Sequence, residues 1–200
     1  MKPHGGTLRI IAGEHRGRRI AVPIVGTRPM ADRVRESLFA VLEPLIVGAR
    51  FADLCSGSGA VGIEALSRGA NHAHFIERSR DAVAVIQENL EMLHLSDRAT
   101  VLGVDALGFL ETSIDAFDLI VADPPYGDTA LAEAIMARCA APGGPLAEQG
   151  LLVLTGRTRP RDLPRELPEG LRCVRTLTYG DSCVDLLGKR LMAGSEDRNG

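Results

Sequence analysis

Phe51-Ala52-Asp53-Leu54-Cys55-Ser56-Gly57-Ser58-Gly59-Ala60-Val61-Gly62, continued by Ile63-Glu64-Ala65-Leu66-Ser67-Arg68-Gly69, decides the fold class of this 200-residue chain. The first four residues read as a short strand, the glycine-rich middle as a tight turn, and the remainder as a helix that Gly69 stops. Gly57, Gly59 and Gly62 satisfy G-x-G-x-x-G in the strand–turn–helix context that the motif requires. The next apolar run, Ala73-His74-Phe75-Ile76, ends in Glu77, where a carboxylate can accept from both hydroxyls of a ribose. Turn and acid together point to a cofactor carrying an adenosine. A tight turn beside an incidental surface acid is the simpler alternative.

Downstream the alternation continues. Val83, Ile86, Leu90 and Leu93 form a helical stripe after Ser79, and Thr100 to Val104 forms a strand followed by Asp105 and Ala106. Phe117-Asp118-Leu119-Ile120-Val121-Ala122 is another apolar strand, closed by Asp123-Pro124-Pro125-Tyr126. Asp128 opens a helix carrying Leu131, Ile135, Met136 and Cys139, and Leu151 to Leu154 is a fifth strand. Leu171 to Thr178 and Ser182 to Leu187 read as a terminal hairpin. Acids stand at four successive strand ends: Asp53, Glu77, Asp105 and Asp123. An open, mostly parallel α/β sheet binds ligands outside the carboxyl ends of its strands, so these four groups can share one crevice.

The Asp123 tip is the candidate active site. Pro124 and Pro125 carry no N–H, and a residue before proline is pushed to extended geometry. The tip therefore offers acceptors and one aromatic face. That combination suits a neutral planar amine, its hydrogens held by the Asp123 carboxylate and the Pro124 carbonyl while Tyr126 stacks on the ring.

Upstream, Leu8 to Ile11 and Arg18 to Val22 read as short strands around the turn Gly13-Glu14-His15-Arg16-Gly17. The chain has a net charge of −3, yet from Arg9 to Arg35 seven arginines face only Glu14 and Asp32, a local +5. Such an arm can grip phosphates through Arg9, Arg16, Arg18 and Arg19, although a solvated surface hairpin explains the same residues. Val34, Leu38, Val41, Leu42 and Leu45 predict a helix with Asp32 as N-cap, ending before Pro44. Residues 1–28 are thus expected to form the basic arm, residues 29–190 the catalytic domain, and residues 191–200 a polar, frayed tail. The stretch from Gly156 to Gly170, rich in Arg and Pro, reads as an exposed connection.

Hydrophobic residues make up 45% of the chain, enough for one full core, and no long apolar segment is free of charge. The start of the chain lacks the apolar run of a signal peptide, so a cytoplasmic protein without a membrane segment is expected. Cys55, Cys139, Cys173 and Cys183 form no Cys-x-x-Cys pair and no metal-ligand spacing, so reduced thiols and no metal are expected. Two cofactors fit the glycine turn, NAD(P) and S-adenosylmethionine. No constellation for hydride transfer accompanies it, whereas the Asp123 tip orients an amine in line with a methyl, so the methyl donor is favoured.

Gly13 through Gly17 to Arg19, Arg28-Pro29 with Asp32-Arg33-Val34-Arg35-Glu36-Ser37-Leu38-Phe39, Gly57-Ser58-Gly59-Ala60, Glu64 to Gly69 and Asp123-Pro124-Pro125-Tyr126 resemble the bacterial 16S ribosomal RNA guanine-N2 methyltransferase family of RsmD type. The resemblance runs from about Leu8 to Leu187. It implies a class I S-adenosylmethionine-dependent methyltransferase, with a Rossmann-like, seven-stranded, mostly parallel sheet. Its substrate would be one guanine of 16S rRNA in an assembling small subunit, and it would act as a monomer. By position, Asp53, Ser56, Gly57, Ser58 and Gly59 would line the methionine end of the cofactor, Glu77 the ribose, and Asp105 with Ala106 the adenine. Arg28 and Arg33 would border that pocket. Asp123, Pro124, Pro125 and Tyr126 would hold a flipped guanine, and the arm arginines would meet rRNA phosphates. The Asp-Pro-Pro-Tyr motif is shared with DNA adenine methyltransferases, which keeps adenine N6 as an alternative; a non-catalytic RNA-binding module is another. Cys55-Ser56, Met30-Ala31 and Thr155 depart from the family pattern, which has an aromatic with Ala, Thr residues and an acid at these places.

Overall fold

The computed structural model describes residues 4–24, 30–125, 127–158 and 166–190. Arg28, Tyr126, residues 159–165 of the Arg- and Pro-rich connection and the polar tail lie outside the described residues.

Among the described residues, seven strands form one sheet. In chain order they are β3 (Arg50–Leu54), β4 (His72–Ile76), β5 (Ala99–Leu102), β6 (Phe117–Ala122), β7 (Leu146–Arg157), β8 (Leu171–Tyr179) and β9 (Ser182–Lys189), after a separate two-stranded hairpin, β1 (Thr7–Arg9) and β2 (Arg19–Ala21). The spatial order is β5-β4-β3-β6-β7-β9-β8. β5, β4, β3, β6 and β7 run parallel, while β9 inserts antiparallel between β7 and β8. The chain winds outward from β3 on one side, then returns and winds outward from β6 on the other. The seam between β3 and β6 is therefore a topological switch point, where loops diverge and leave a crevice.

Among the described residues five α-helices cover the sheet: α1 (Asp32–Ile46), α2 (Ala60–Ser67), α3 (Arg80–Leu93), α4 (Ala106–Thr112) and α5 (Thr129–Ala140). The parity of the strands sorts the core into two layers. Phe51, Phe75, Leu119, Val121 and Val153 pack with α1, α2 and α3, whereas Leu54, Ile120, Ala122, Leu152 and Leu154 pack with α4 and α5. Helix α2 is buried on every side. At Gly62 within it, a Cβ would lie 2.4 Å from the Phe75 ring, so glycine is what lets this helix rest directly on β4.

Three expectations for α1 are corrected. The helix runs through Pro44 to Ile46 instead of stopping before it. The carbonyl orphaned by the missing Pro44 N–H is that of Ala40, on the exposed face of the helix, while Leu42 and Ile46, both buried, keep the last turn docked. The N-cap is Ala31, without a side-chain cap, and Asp32 instead accepts from Arg35 Nη2 at 3.0 Å inside the first turn. Leu45, placed on the apolar stripe, is exposed, and Ile46 takes its place.

The basic hairpin is fastened to the sheet's helices, with Ile10 and Ile20 each 2% exposed in the same core cluster as α1 and α2. The Glu64 carboxylate accepts the N–H groups of Ile11 at 2.8 Å and Ala12 at 3.0 Å. Gly13 (φ 81°) passes so close to the end of α2 that a Cβ there would fall 1.8 Å from the Ser67 carbonyl oxygen. That contact accounts for the first glycine of the hairpin turn.

Candidate active site

Four elements converge at the switch point. Val121 stands opposite Asp53 on one side and Val153 on the other. Two residues further on, and therefore on the same face, come Asp123 and Thr155. Cys55 and Glu77 follow the paired ends of β3 and β4, where Leu54 lies opposite Ile76. Together with the loop before α4 they enclose a cleft of about 1000 Å³, lined among others by Met30, Ser56, Gly57, Ser58, Ile76, Val104, Ala106, Leu107, Pro124 and Pro125. Of the expected residues, Asp53, Ser56, Gly57, Ser58, Glu77, Asp105, Ala106, Asp123, Pro124 and Pro125 line this one cleft. Gly59 sits just behind, as the left-handed N-cap of α2. Arg33 is exposed on the first turn of α1 and lies outside the lining.

Each acid is held differently. Asp53 is 3% exposed and accepts the Gly62 N–H at 2.9 Å, which ties β3 to the first turn of α2. Burial pushes its carboxyl up to about 7 despite that hydrogen bond, and the nearby charges of Asp123 and Glu77 push the same way. Glu77 closes the glycine turn: one oxygen accepts the Gly57 N–H at 2.9 Å and the other the Ser79 N–H at 2.8 Å. Asp105 caps α4 through the Gly108 N–H at 2.9 Å. Ser56 donates to the carbonyl oxygens of Asp53 at 2.6 Å and Ile76 at 3.2 Å, stitching the turn to both strands. Cys55 adopts φ 61°, the left-handed region where a side chain is strained, and its buried thiol beside Glu77 and Asp53 is pushed up to about 12. It is an inert wall residue.

The donor set discriminates between the two cofactors. In a dinucleotide fold the turn's backbone N–H groups must face a pyrophosphate, but the Gly57 N–H is committed to Glu77. Among the described lining residues, Asp53, Glu77, Asp81, Asp105, Asp123 and Asp128 face a single cation, Arg78. So negative a cleft repels a pyrophosphate and attracts a cation such as a sulfonium or an α-ammonium group. Its apolar side, Ile76, Val104, Ala106 and Leu107, suits a flat base.

Comparison with known proteins agrees with this geometry. The model of the family described as Conserved hypothetical protein 95 matches residues 8–188. YlbH of Bacillus subtilis is 34% identical over 187 residues, which is 92% of this chain and 100% of that one. The chain belongs to this family, the RsmD type of methyltransferase. Ribosomal RNA small subunit methyltransferase D of Escherichia coli is 42% identical over 131 residues, 65% of this chain and 66% of the relative. The solved structure of the Escherichia coli protein yhhF superposes with a TM-score of 0.81 at 34% identity, covering 92% of this chain and 98% of that one. The RsmD-type fold is thus the class I methyltransferase fold expected from the alternation of strands and helices.

Three contacts of this RsmD-type chain that shape the arm and the cleft were not apparent from residue types. Glu64 anchors the basic hairpin, Asn89 bonds to both the N–H (2.8 Å) and the carbonyl (2.9 Å) of Ala21, and Thr155 donates its hydroxyl to Asp123. Glu64 and Asn89 sit on helical faces that read simply as polar. Only their exposures of 1% and 2%, which the fold creates, mark them as anchors. The four arm arginines, Arg9, Arg16, Arg18 and Arg19, are all exposed; Arg18 reaches the Met92 carbonyl at 2.9 Å and Arg19 the Thr7 hydroxyl at 2.9 Å. Among the described residues no helix is long and apolar enough to cross a membrane, and no group of His, Cys, Asp or Glu could hold a metal ion.

Proposed function

We propose that the protein transfers the methyl group of S-adenosylmethionine to the exocyclic N2 of one guanine in 16S rRNA, in the cytoplasm and on an assembling small subunit. The observation that carries this reading is the Asp123-Pro124-Pro125 tip, rich in acceptors, at the same switch point as the Asp53 and Glu77 acids. Membership in a family whose Escherichia coli relative is named a ribosomal RNA small subunit methyltransferase supports it.

When bound, the cofactor supplies an electrophilic methyl on a sulfonium. The chain's own residues do the rest. Asp53 and the acids around it draw the cationic end inward, Glu77 keeps the glycine turn in shape beside the ribose, and the apolar wall takes the adenine. Asp123 and the Pro124 carbonyl accept the two hydrogens of the guanine amine, which turns the nitrogen lone pair toward the methyl. Positioning of this kind is worth up to about 7–11 kcal/mol in well-oriented systems. The guanine must leave its stack to enter, and the exposed arm arginines hold the surrounding phosphates while it does.

The test is to incubate the full-length protein with labelled S-adenosylmethionine and small subunits from cells lacking its gene, then digest the RNA. Labelled N2-methylguanosine at a single position is expected. Label in N6-methyladenosine would move the reading to adenine, and RNA binding without label would leave a non-catalytic binding module.

A further inference from the structure

Strand β7 is apolar from Leu151 to Leu154, and its first buried polar side chain beyond them is Thr155, 6% exposed. A hydroxyl buried at that level needs a partner. On the β9 side Thr155 lies opposite Val184, which offers none from its side chain. On the β6 side the register sets Leu154 against Ala122, so Thr155 falls beside Asp123, and its Oγ1 donates to Asp123 Oδ1. On β3 the neighbouring acid is held in a comparable way, Asp53 accepting the Gly62 N–H of α2. Each carboxylate of the switch point thus receives a donor from a rigid neighbouring element.

We propose that Thr155 is a positioning residue for methyl transfer: its hydroxyl fixes the Asp123 carboxylate in the rotamer that accepts the substrate amine. The proposal rests on the functional reading above. A β-branched side chain in a strand flanked on both sides has little χ1 freedom, so its hydroxyl is set before substrate arrives. Asp123, by contrast, lies just past the end of its strand; its N–H donates to the Leu54 carbonyl at 3.4 Å and the two prolines behind it restrict the backbone, which leaves the side-chain rotamer to be set by the carboxylate's own contacts. A carboxylate has about four acceptor sites, so a hydroxyl on Oδ1 leaves capacity for the amine while removing the rotation that would carry it out of line. Because the hydroxyl donates, it also keeps Asp123 an acceptor, which the amine requires.

Thr155→Val removes the hydroxyl at nearly constant shape, and Thr155→Ser restores it. With full-length protein and small subunits from cells lacking the gene, Thr155→Val should lower kcat by about 10- to 100-fold, the range of a hydrogen bond to a charged group. Its affinity for S-adenosylmethionine and its melting temperature should stay near those of the parent protein, and Thr155→Ser should recover kcat to within about threefold. Unchanged kcat in Thr155→Val, or equal loss of kcat and melting temperature in both variants, would overturn the proposal. If the parent protein methylates no RNA, the functional reading fails on its own account. The contact is then read from the Asp123 carboxyl 13C resonance, which should move in Thr155→Val and return in Thr155→Ser; a resonance indifferent to both substitutions would refute it.

Discussion

Glu64 Oε2, on α2, accepts the backbone N–H of Ile11 in the basic hairpin across 2.8 Å, joining residues 53 apart in sequence. The same carboxylate accepts from Ala12 and from Arg68 Nε at 2.8 Å, and lies 4.0 Å from Arg35 Nε, whose side chain is 1% exposed. The arm is thereby part of the domain's buried ion network. Glu64→Ala should destabilise the protein by about 3–5 kcal/mol in urea unfolding, because it takes the carboxylate out of a buried ion network, leaving the Ile11 and Ala12 N–H groups without their acceptor and Arg35 with Asp32 as its remaining acidic partner. A loss under about 1 kcal/mol would mean that water fills the gap, as it does for exposed pairs.

Close packing of α2 on β4 makes a second prediction. Gly62→Ala forces a methyl to within 2.4 Å of the Phe75 ring. The expected cost is about 1–3 kcal/mol, the range for overpacking a core, read as a lower melting temperature. An unchanged melting temperature would show that the ring can withdraw.

Asp53 makes the behaviour of the cleft depend on pH. Burial, reinforced by Asp123 and Glu77, raises its carboxyl from 3.8 to about 7. An acid with a raised folded value contributes its stability fully below the unfolded value and loses it as pH rises through the folded one. The parent protein should therefore lose stability relative to Asp53→Asn between about pH 4 and about pH 7. A cationic ligand favours the ionised form, so S-adenosylmethionine should bind more tightly as pH rises through this window, with release of a proton. Calorimetry in two buffers of different ionisation enthalpy reads that proton; identical heats would contradict the assignment.

The proposed grip of the exposed arm arginines on RNA phosphates predicts binding that is sensitive to salt. Each of Arg9, Arg16, Arg18 and Arg19 that meets a phosphate should contribute roughly 0.7–0.9 to the slope of log affinity against log salt. Arg16→Ala should lower that slope by about one such step without changing which nucleotide is modified. A variant with an unchanged slope would place the arm off the RNA.

Much of the sheet was legible because parallel strands announce themselves as apolar runs closed by acids and glycines. Asp53, Glu77 and Asp123 could be placed at one crevice from their strand-end positions alone. What escaped detection was set by tertiary context. Helix α4, Ala106–Thr112, has seven residues and a glycine at its third position, too short and too weak for a period of 3.6 to show. Strand β7 extends on both sides of Leu151–Leu154: pairing with β9 carries it on to Arg157, and before Leu151 it includes Glu148, Gln149 and Gly150, residues of low strand propensity that fall in a register irregularity between Leu146, opposite Phe117, and Leu151, opposite Leu119. Pro44 reads as a stop and is tolerated because its orphaned carbonyl lies on the exposed face of the helix. Glu77, expected on a ribose, is found shaping the turn beneath it, a use that only the folded backbone reveals.

The claim at the centre of this account is that Asp123 handles the acceptor amine and leaves cofactor binding to the acids and glycines around it. Methyl transfer to small subunits and S-adenosylmethionine affinity, measured side by side for the parent protein and Asp123→Ala, test it most directly. The account predicts a loss of transfer of at least about 100-fold, with affinity within about threefold of the parent. A parallel loss of both, or transfer that survives, would contradict it.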